Sequence, residues 1–145
     1  MTVGIDDKAL NDNVTSFLSR ELRSLKDVEL VRRDDPQVEF VISVAGMPLV
    51  TKGGTTTGFA LSVTVYSPMT QSALDIVLSN KANPGNIKEL SEIFLPYVRI
   101  QSNDVYVGGT DDIRKQCEMI VVSFDRKVLQ AARDSYARYL KTLKQ

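Results

Sequence analysis

The side chains that most enzymes use near neutral pH are scarce in this 145-residue chain. It contains no histidine, and Cys117 is its only cysteine. A Ser-His-Asp or Cys-His relay needs an imidazole, and a zinc site built from cysteine and histidine needs more than one such ligand. Carboxylates, lysines, hydroxyls and backbone amides remain. We therefore expect no enzymatic activity, no cofactor and no tight metal site.

Glu21 is the acid whose position most favours a functional role. On a helical wheel it lies between Leu10 and Val14, inside the apolar stripe of the first predicted helix. A carboxylate there must find a partner, reach water or have its pKa raised by loss of solvation. Glu21 is therefore the candidate functional acid, and the alternative is that its side chain bends out to water or pairs with a nearby arginine or lysine.

Two glycine-containing segments resemble anion-binding loops. Gly108-Gly109-Thr110 precedes a predicted helix, where free amides can hold phosphate, but Asp111 and Asp112 follow and would repel it. Lys52-Gly53-Gly54 lacks the P-loop order of Gly-Lys-Ser/Thr before a helix. We predict an ordinary helix start with Thr110 as the N-cap in the first segment, and a hairpin tip in the second.

Composition indicates a folded domain with no strong charge preference. The chain has 18 basic and 18 acidic residues, and 43% of its residues are hydrophobic. Nucleic acid is not expected as a partner, because phosphate binding needs a basic surplus or a strongly basic face. No apolar run approaches the roughly 20 residues that cross a bilayer, so we expect a soluble protein without a membrane partner. The cellular compartment stays open, as does a removed leader.

Hydrophobic spacing predicts the first elements. A helix from about Asp7 to Leu25 carries apolar residues at intervals of 3, 4 and 7, which fall within one stripe. Asp6 or Asp7 can cap its N-terminus. A short strand is predicted from Val28 to Val31.

Two longer strands, Val38 to Val50 and Gly58 to Ser67, alternate between apolar and small or polar residues. Their short glycine-containing linker predicts an antiparallel hairpin. The apolar positions that should face the core are Val38, Phe40, Ile42, Val44, Phe59, Leu61, Val63 and Val65. The candidate interaction residues on the opposite face are Ser43, Ser62, Thr64 and Tyr66. Such residues can face water or a partner more easily than a dense core.

The middle of the chain is ambiguous, because residues 69–80 suit a strand or a helix equally well. We favour a strand from Leu74 to Leu78, followed by a helix from Asn86 to about Leu95. Tyr97 to Val107 then predicts a further strand, interrupted near Ser102-Asn103-Asp104.

The last third of the chain is predicted to be helical, with two apolar arcs displaced by about one residue, or roughly 100°. One straight helix cannot present both arcs to one surface, so we expect a bend, bulge or break near Ser123 to Lys127, with Asp125 as a possible new N-cap. The second arc, which should complete the core, contains Val128, Leu129, Ala132, Tyr136, Tyr139, Leu140 and Leu143. A basic face lies opposite this arc and consists of Arg126, Lys127, Arg133, Arg138, Lys141 and Lys144.

Together these patterns predict a single α+β domain over residues 1–145. It should contain one antiparallel sheet of four to five strands, with the N- and C-terminal helices packed on one face. The expected function is a non-catalytic interaction or assembly module that uses a sheet edge or the outer sheet face to bind a protein partner or to form a weak homodimer. The alternative is a small-ligand or divalent-metal-binding protein whose acids, such as Asp104, Asp111 and Asp112, meet in the fold.

Overall fold

The computed structural model describes residues 1–32, 35, 38–68 and 98–142, and the predicted class, α+β, is confirmed within them. The strands are β1 (Thr2–Ile5), β2 (Val41–Val50), β3 (Thr56–Pro68) and β4 (Val98–Gly109). The helices are α1 (Lys8–Ser24), α2 (Ile113–Phe124) and α3 (Gln130–Thr142). The predicted strand from Leu74 to Leu78 and the predicted helix from Asn86 lie outside the described residues.

The sheet is mixed, so the prediction of a purely antiparallel sheet is wrong. Its strand order is β1-β2-β3-β4, and β1 pairs with β2 in parallel while the other pairs are antiparallel. Strand β1 was not predicted, because a stretch of four residues that includes Gly4 is too short to show a period. Helix α1 lies between β1 and β2, and such a helical crossover returns the chain parallel to its starting strand.

Helix α1 begins and ends close to the predicted residues. The Leu10 amide donates to the Asp7 carboxylate at 2.9 Å, which confirms Asp7 as the N-cap. The side-chain amide of Asn11 donates to the carbonyl oxygens of Val3 and Ile5, both at 3.3 Å. These bonds hold the first turn of the helix against β1.

The segment from Val28 to Val31 is not a strand, so that prediction is wrong. The chain turns after α1, and the Val28 amide donates to the Leu25 carbonyl at 3.4 Å. Leu30 packs against the core without joining the sheet. The apolar spacing of this segment therefore reflects packing at one end of the sheet and not strand pairing.

The hairpin of β2 and β3 is confirmed, although β2 begins at Val41 and not at Val38. At its tip the Gly54 amide donates to the Thr51 carbonyl at 2.9 Å, and Gly54 has a φ of 81°, which favours glycine. Seven of the eight predicted inward-facing side chains are buried: Val38, Ile42, Val44, Phe59, Leu61, Val63 and Val65. Phe40 packs against the same cluster while remaining partly exposed.

Strand β4 contains a bulge beside the predicted interruption. Ser102 pairs with Val65 and Ile100 pairs with Tyr66, so Gln101 is the extra residue. Because of this extra residue, the outward-facing positions of β4 change from even-numbered before the bulge to odd-numbered after it. Ile100 therefore lies on the same face as the odd-numbered residues that follow.

The start of the C-terminal helix differs from the prediction. Thr110–Asp112 form a 3-10 turn, and the Gly109 amide donates to the Asp112 carboxylate at 3.1 Å. Thr110 therefore does not cap the helix, since the charged side chain of Asp112 reaches back to the free amide instead.

The predicted irregularity in this helix is confirmed as a π-helical turn, Asp125–Leu129. The Gln130 amide donates to the Asp125 carbonyl across five residues, which places one extra residue in the turn. That extra residue compensates for the offset between the two apolar arcs without ending the helix. Asp125 has helical φ and ψ angles of −55° and −51°, so its prediction as a new N-cap is wrong.

One core joins the sheet to the helices. Its largest fully buried side chains include Phe59, Leu61, Leu18, Leu22 and Ile120. The predicted contribution of the last apolar arc is only partly correct: Val128 is buried and Leu129 packs on the core, as predicted. Further along the helix Tyr136 is 64% exposed and Leu140 is 40% exposed, because α3 extends beyond the π turn and makes few contacts with the sheet.

Among the described helices, none combines the length and the apolar character needed to span a membrane.

Candidate functional site

The outer face of the sheet is built from matching positions on three strands. Directly opposed residues of an antiparallel pair point to the same face, so the pairing registers assemble this face row by row. The four rows are Val41-Tyr66-Ile100, Ser43-Thr64-Asn103, Ala45-Ser62-Val105 and Met47-Ala60-Val107. All four predicted interaction residues, Ser43, Ser62, Thr64 and Tyr66, are therefore on one face.

Four apolar side chains on this outer face are largely exposed, with Val105 the most exposed at 68%. The other three are Met47, Ile100 and Val107. The four rows contain no lysine, arginine, aspartate or glutamate. Exposed apolar patches without charged residues are typical of surfaces that bind other molecules.

The hydroxyl groups of the outer face can form hydrogen bonds, but none of the residues that make up its four rows can activate a nucleophile. Thr64 Oγ1 donates to Asn103 Oδ1 at 3.3 Å across the strands, and Ser62 is exposed. A serine nucleophile needs an adjacent base, and no residue of the four rows can act as one. The chemistry available to this face is therefore contact and hydrogen bonding.

The apolar members of the outer face on β4 were not found from the sequence. Val105, Tyr106 and Val107 are consecutive and apolar, so period-two alternation does not say which of them face the core. Asp104 is a misleading signal, because a carboxylate on a strand usually faces water and would place Val105 on the inner face, whereas Asp104 lies on the inner side and pairs with Lys127. The pairing of Tyr106 with buried Leu61 assigns Val105 and Val107 to the outside.

Comparisons of this chain with protein-family models, curated proteins and solved structures found no match.

Glu21, the candidate functional acid, is paired with its neighbour in the sequence. Arg20 donates to Glu21 Oε1 through NH2 at 2.8 Å and through Nε at 3.1 Å, and the guanidinium also lies over the Phe17 ring at 5.3 Å. This is the arrangement that the alternative interpretation predicted. A functional role for Glu21 remains a prediction.

Cys117 is fully buried in α2 and is a poor nucleophile. Burial raises the pKa of its thiol to about 11, and the nearby charge of Glu21 adds to this effect. Because the thiolate is the reactive form, the folded protein holds Cys117 in an inert state at neutral pH.

The acids named for the alternative function do not converge. Lys127 donates to both carboxylate oxygens of Asp104, at 2.7 and 3.0 Å, whereas Asp112 accepts from the Gly109 amide. Within residues 1–32, 35, 38–68 and 98–142, no group of three or more potential ligands from His, Cys, Asp and Glu could hold a metal ion.

Several members of the predicted basic face have partners within the chain. Arg133 forms salt bridges with Asp27 and Asp125, and Lys127 forms one with Asp104. These arginine and lysine side chains therefore connect the helix to the rest of the fold. The Gly109 amide is likewise already bonded to Asp112, so it is not free to bind phosphate.

Proposed function

We propose that this protein is a non-catalytic assembly module that associates weakly with a second copy of itself through the outer face of its sheet. The observation that carries the proposal is the set of uncharged rows, where exposed Met47, Ile100, Val105 and Val107 adjoin small hydroxylated residues. Burying these side chains against an apolar surface contributes about 25 cal/mol for each Å² removed from water.

A second copy of the chain fits the outer face because that face is self-complementary in charge. A two-fold interface brings the same patch together from both subunits, so any charge in it would meet a like charge or stay unpaired. The four rows contain no charged residue, and the whole chain has no net charge. Alanine, serine and threonine in the central rows also allow two sheets to approach to about 10 Å, the usual spacing of packed sheets.

The edge of β4, the last strand in the order of the described sheet, is less suited to association than the face. Its bulge at Gln101 interrupts regular pairing, and the carboxylate of Asp104 points to the inner side, where Lys127 holds it. Bulges and inward-pointing charges are common devices by which edge strands resist the addition of another strand. Among the described residues, the four rows of the outer face carry no bulge and no charged side chain, and Val41 at one end of the face is buried.

The non-catalytic part of the proposal rests on the state of the reactive groups. The chain has no imidazole, the single thiol is buried, and Asp104 and Asp112 are engaged in separate contacts. General acid–base catalysis needs a proton donor or acceptor positioned at a site that substrate can reach.

Sedimentation equilibrium over a wide concentration range tests self-association. We expect a reversible monomer–dimer equilibrium that Val105→Lys weakens by roughly tenfold or more, because an unpaired ammonium would be desolvated in the interface. Ser62→Lys should act in the same direction. The matched control is Val122→Lys on α2, where valine is similarly exposed, at 64% compared with 68% for Val105.

A parent protein that stays monomeric at millimolar concentration would contradict self-association. Equal weakening by Val105→Lys and Val122→Lys would contradict the choice of the sheet face. If a different protein bound the parent, and Val105→Lys abolished that binding while Val122→Lys did not, the outer face would still be the binding surface. Its partner would then be that protein and not a second copy.

A further inference from the structure

A half-enclosed cavity of about 240 Å³ lies at the end of the sheet remote from the hairpin tip. Its floor is formed by buried apolar side chains, among them Leu22, Val38, Ile42 and Phe124. The segment from Val28 to Val31, which was expected to be a strand, forms part of its wall. This cavity is separate from the outer sheet face and is independent of the proposed assembly.

The π turn shapes the cavity. Phe124 and Leu129 both line it, although side chains five residues apart on a regular α-helix point about 140° apart. The extra residue in the turn reduces this angle and lets both side chains face the same space. The Phe40 ring packs edge-on against Phe124, with centroids 6.0 Å apart, and forms the adjoining wall.

A salt bridge anchors the segment that forms the wall. Arg133 of α3 donates to both carboxylate oxygens of Asp27, at 2.6 and 2.8 Å, and to Asp125 at 2.7 Å. Bidentate bonds of this kind fix orientation as well as distance. The guanidinium also holds the pKa of the Asp27 carboxyl below its usual range, chiefly through these hydrogen bonds. The chain leaving α1 is thus tied to the same helical turn that supplies Phe124.

Among the described residues that line the cavity, every charged side chain is acidic. Asp27, Glu29 and Glu39 are exposed residues that line it, and none of its described lining residues is lysine or arginine. Arg133 compensates Asp27, while Glu29 and Glu39 form no salt bridge with a described residue.

We propose that this cavity binds a small organic cation: an amine carried on an apolar body. The apolar floor accepts the body, and the carboxylates of Glu29 and Glu39 at the rim attract the ammonium group. A dry apolar cavity of about 150 Å³ holds one benzene molecule, so about 240 Å³ suits one ring with a short aminoalkyl chain. A bare divalent cation fits less well, because the apolar floor offers it no ligands.

Three probes with the same ring and different charges test the proposal: phenethylamine, 2-phenylethanol and 3-phenylpropionate. Isothermal titration and NMR chemical shifts would measure their affinities. We expect the amine to bind roughly three- to tenfold more tightly than the alcohol, since each exposed charge pair contributes modestly. The carboxylate should bind most weakly, and added salt should reduce the advantage of the amine.

The double variant Glu29→Gln, Glu39→Gln should lower the affinity for the amine to that for the alcohol while leaving the alcohol unaffected. Both residues are exposed, so the fold should persist, as an NMR spectrum can verify. Glu118→Gln on α2 is the matched control, because Glu118 does not line the cavity. No binding of the amine to the parent, or equal affinities for amine and alcohol, would overturn the proposal.

Discussion

The inner and outer faces of β2 and β3 alternate along the same backbone, yet they have different tasks. On the inner face, Leu61 and Val63 are almost completely buried in the core that joins the sheet to α1 and α2. On the outer face, Ser62 is exposed and Thr64 is half-buried. Along one strand, the inward-facing residues therefore contribute to stability and the outward-facing residues determine the surface chemistry. Substitutions inside should change folding, and substitutions outside should change association.

The largest expected difference between the two sides is in thiol reactivity. In a Ser62→Cys variant, the new thiol should react with iodoacetamide at pH 8 roughly 100-fold or more faster than Cys117, because an ordinary thiol pKa is near 8.5. The pKa of Cys117 is raised to about 11, so its labelling should accelerate as the pH rises toward that value. Mass spectrometry after digestion would measure both rates. Equal rates in the folded protein would contradict the burial of Cys117.

Truncation of a core side chain should have the largest effect on folding. We expect Leu61→Ala to lower the free energy of unfolding by about 2 to 5 kcal/mol, because it leaves a cavity where the side chain is fully buried. Ser62→Ala, one residue along the strand, should change it by no more than about 0.5 kcal/mol. Urea denaturation measures both changes. Similar midpoints for the two variants would mean that the faces are reversed.

Two glycines, one on each face of the sheet, also compare the inner and outer faces, with a smaller expected change in stability. Gly46 faces inward, and a Cβ atom there would lie 2.7 Å from Leu61 Cδ2 and 3.0 Å from Ile5 Cδ1. Gly46→Ala should therefore destabilise the fold by roughly 1 to 3 kcal/mol through overpacking. Gly4 faces outward on β1, where the nearest atom would be 4.0 Å away, so Gly4→Ala is the matched control and should not destabilise. Thermal unfolding would distinguish them, and equal losses would contradict the assignment.

Much of this arrangement could be predicted from local patterns. Repeats of 3 and 4 residues in α1, and alternation in the hairpin, each report one buried face directly. The offset between the two apolar arcs of the last helix also predicted an irregularity. If both arcs are to face the same core, the helix must include an extra residue between them. The outer-face positions of Ser43, Ser62, Thr64 and Tyr66 followed from the same alternation.

The remaining features depend on contacts between distant parts of the chain. Strand β1 is defined by pairing with β2, and four residues carry too little pattern to indicate it. The exposed Val105 and Val107 required the register of β4 against β3. The cavity acids Glu29 and Glu39 are ten residues apart in the sequence and meet around one space only after folding.

The central claim, self-association through the outer face, is tested most directly by NMR on a mixture of 13C-labelled and unlabelled protein. Isotope-filtered spectra at a concentration that favours dimers report contacts between subunits and require no substitution. The account predicts intermolecular contacts from the methyl groups of Met47, Val105 and Val107 to protons of the central rows. Intermolecular contacts confined to helix residues such as Met119 and Val122, or no intermolecular contacts from the outer face, would contradict it.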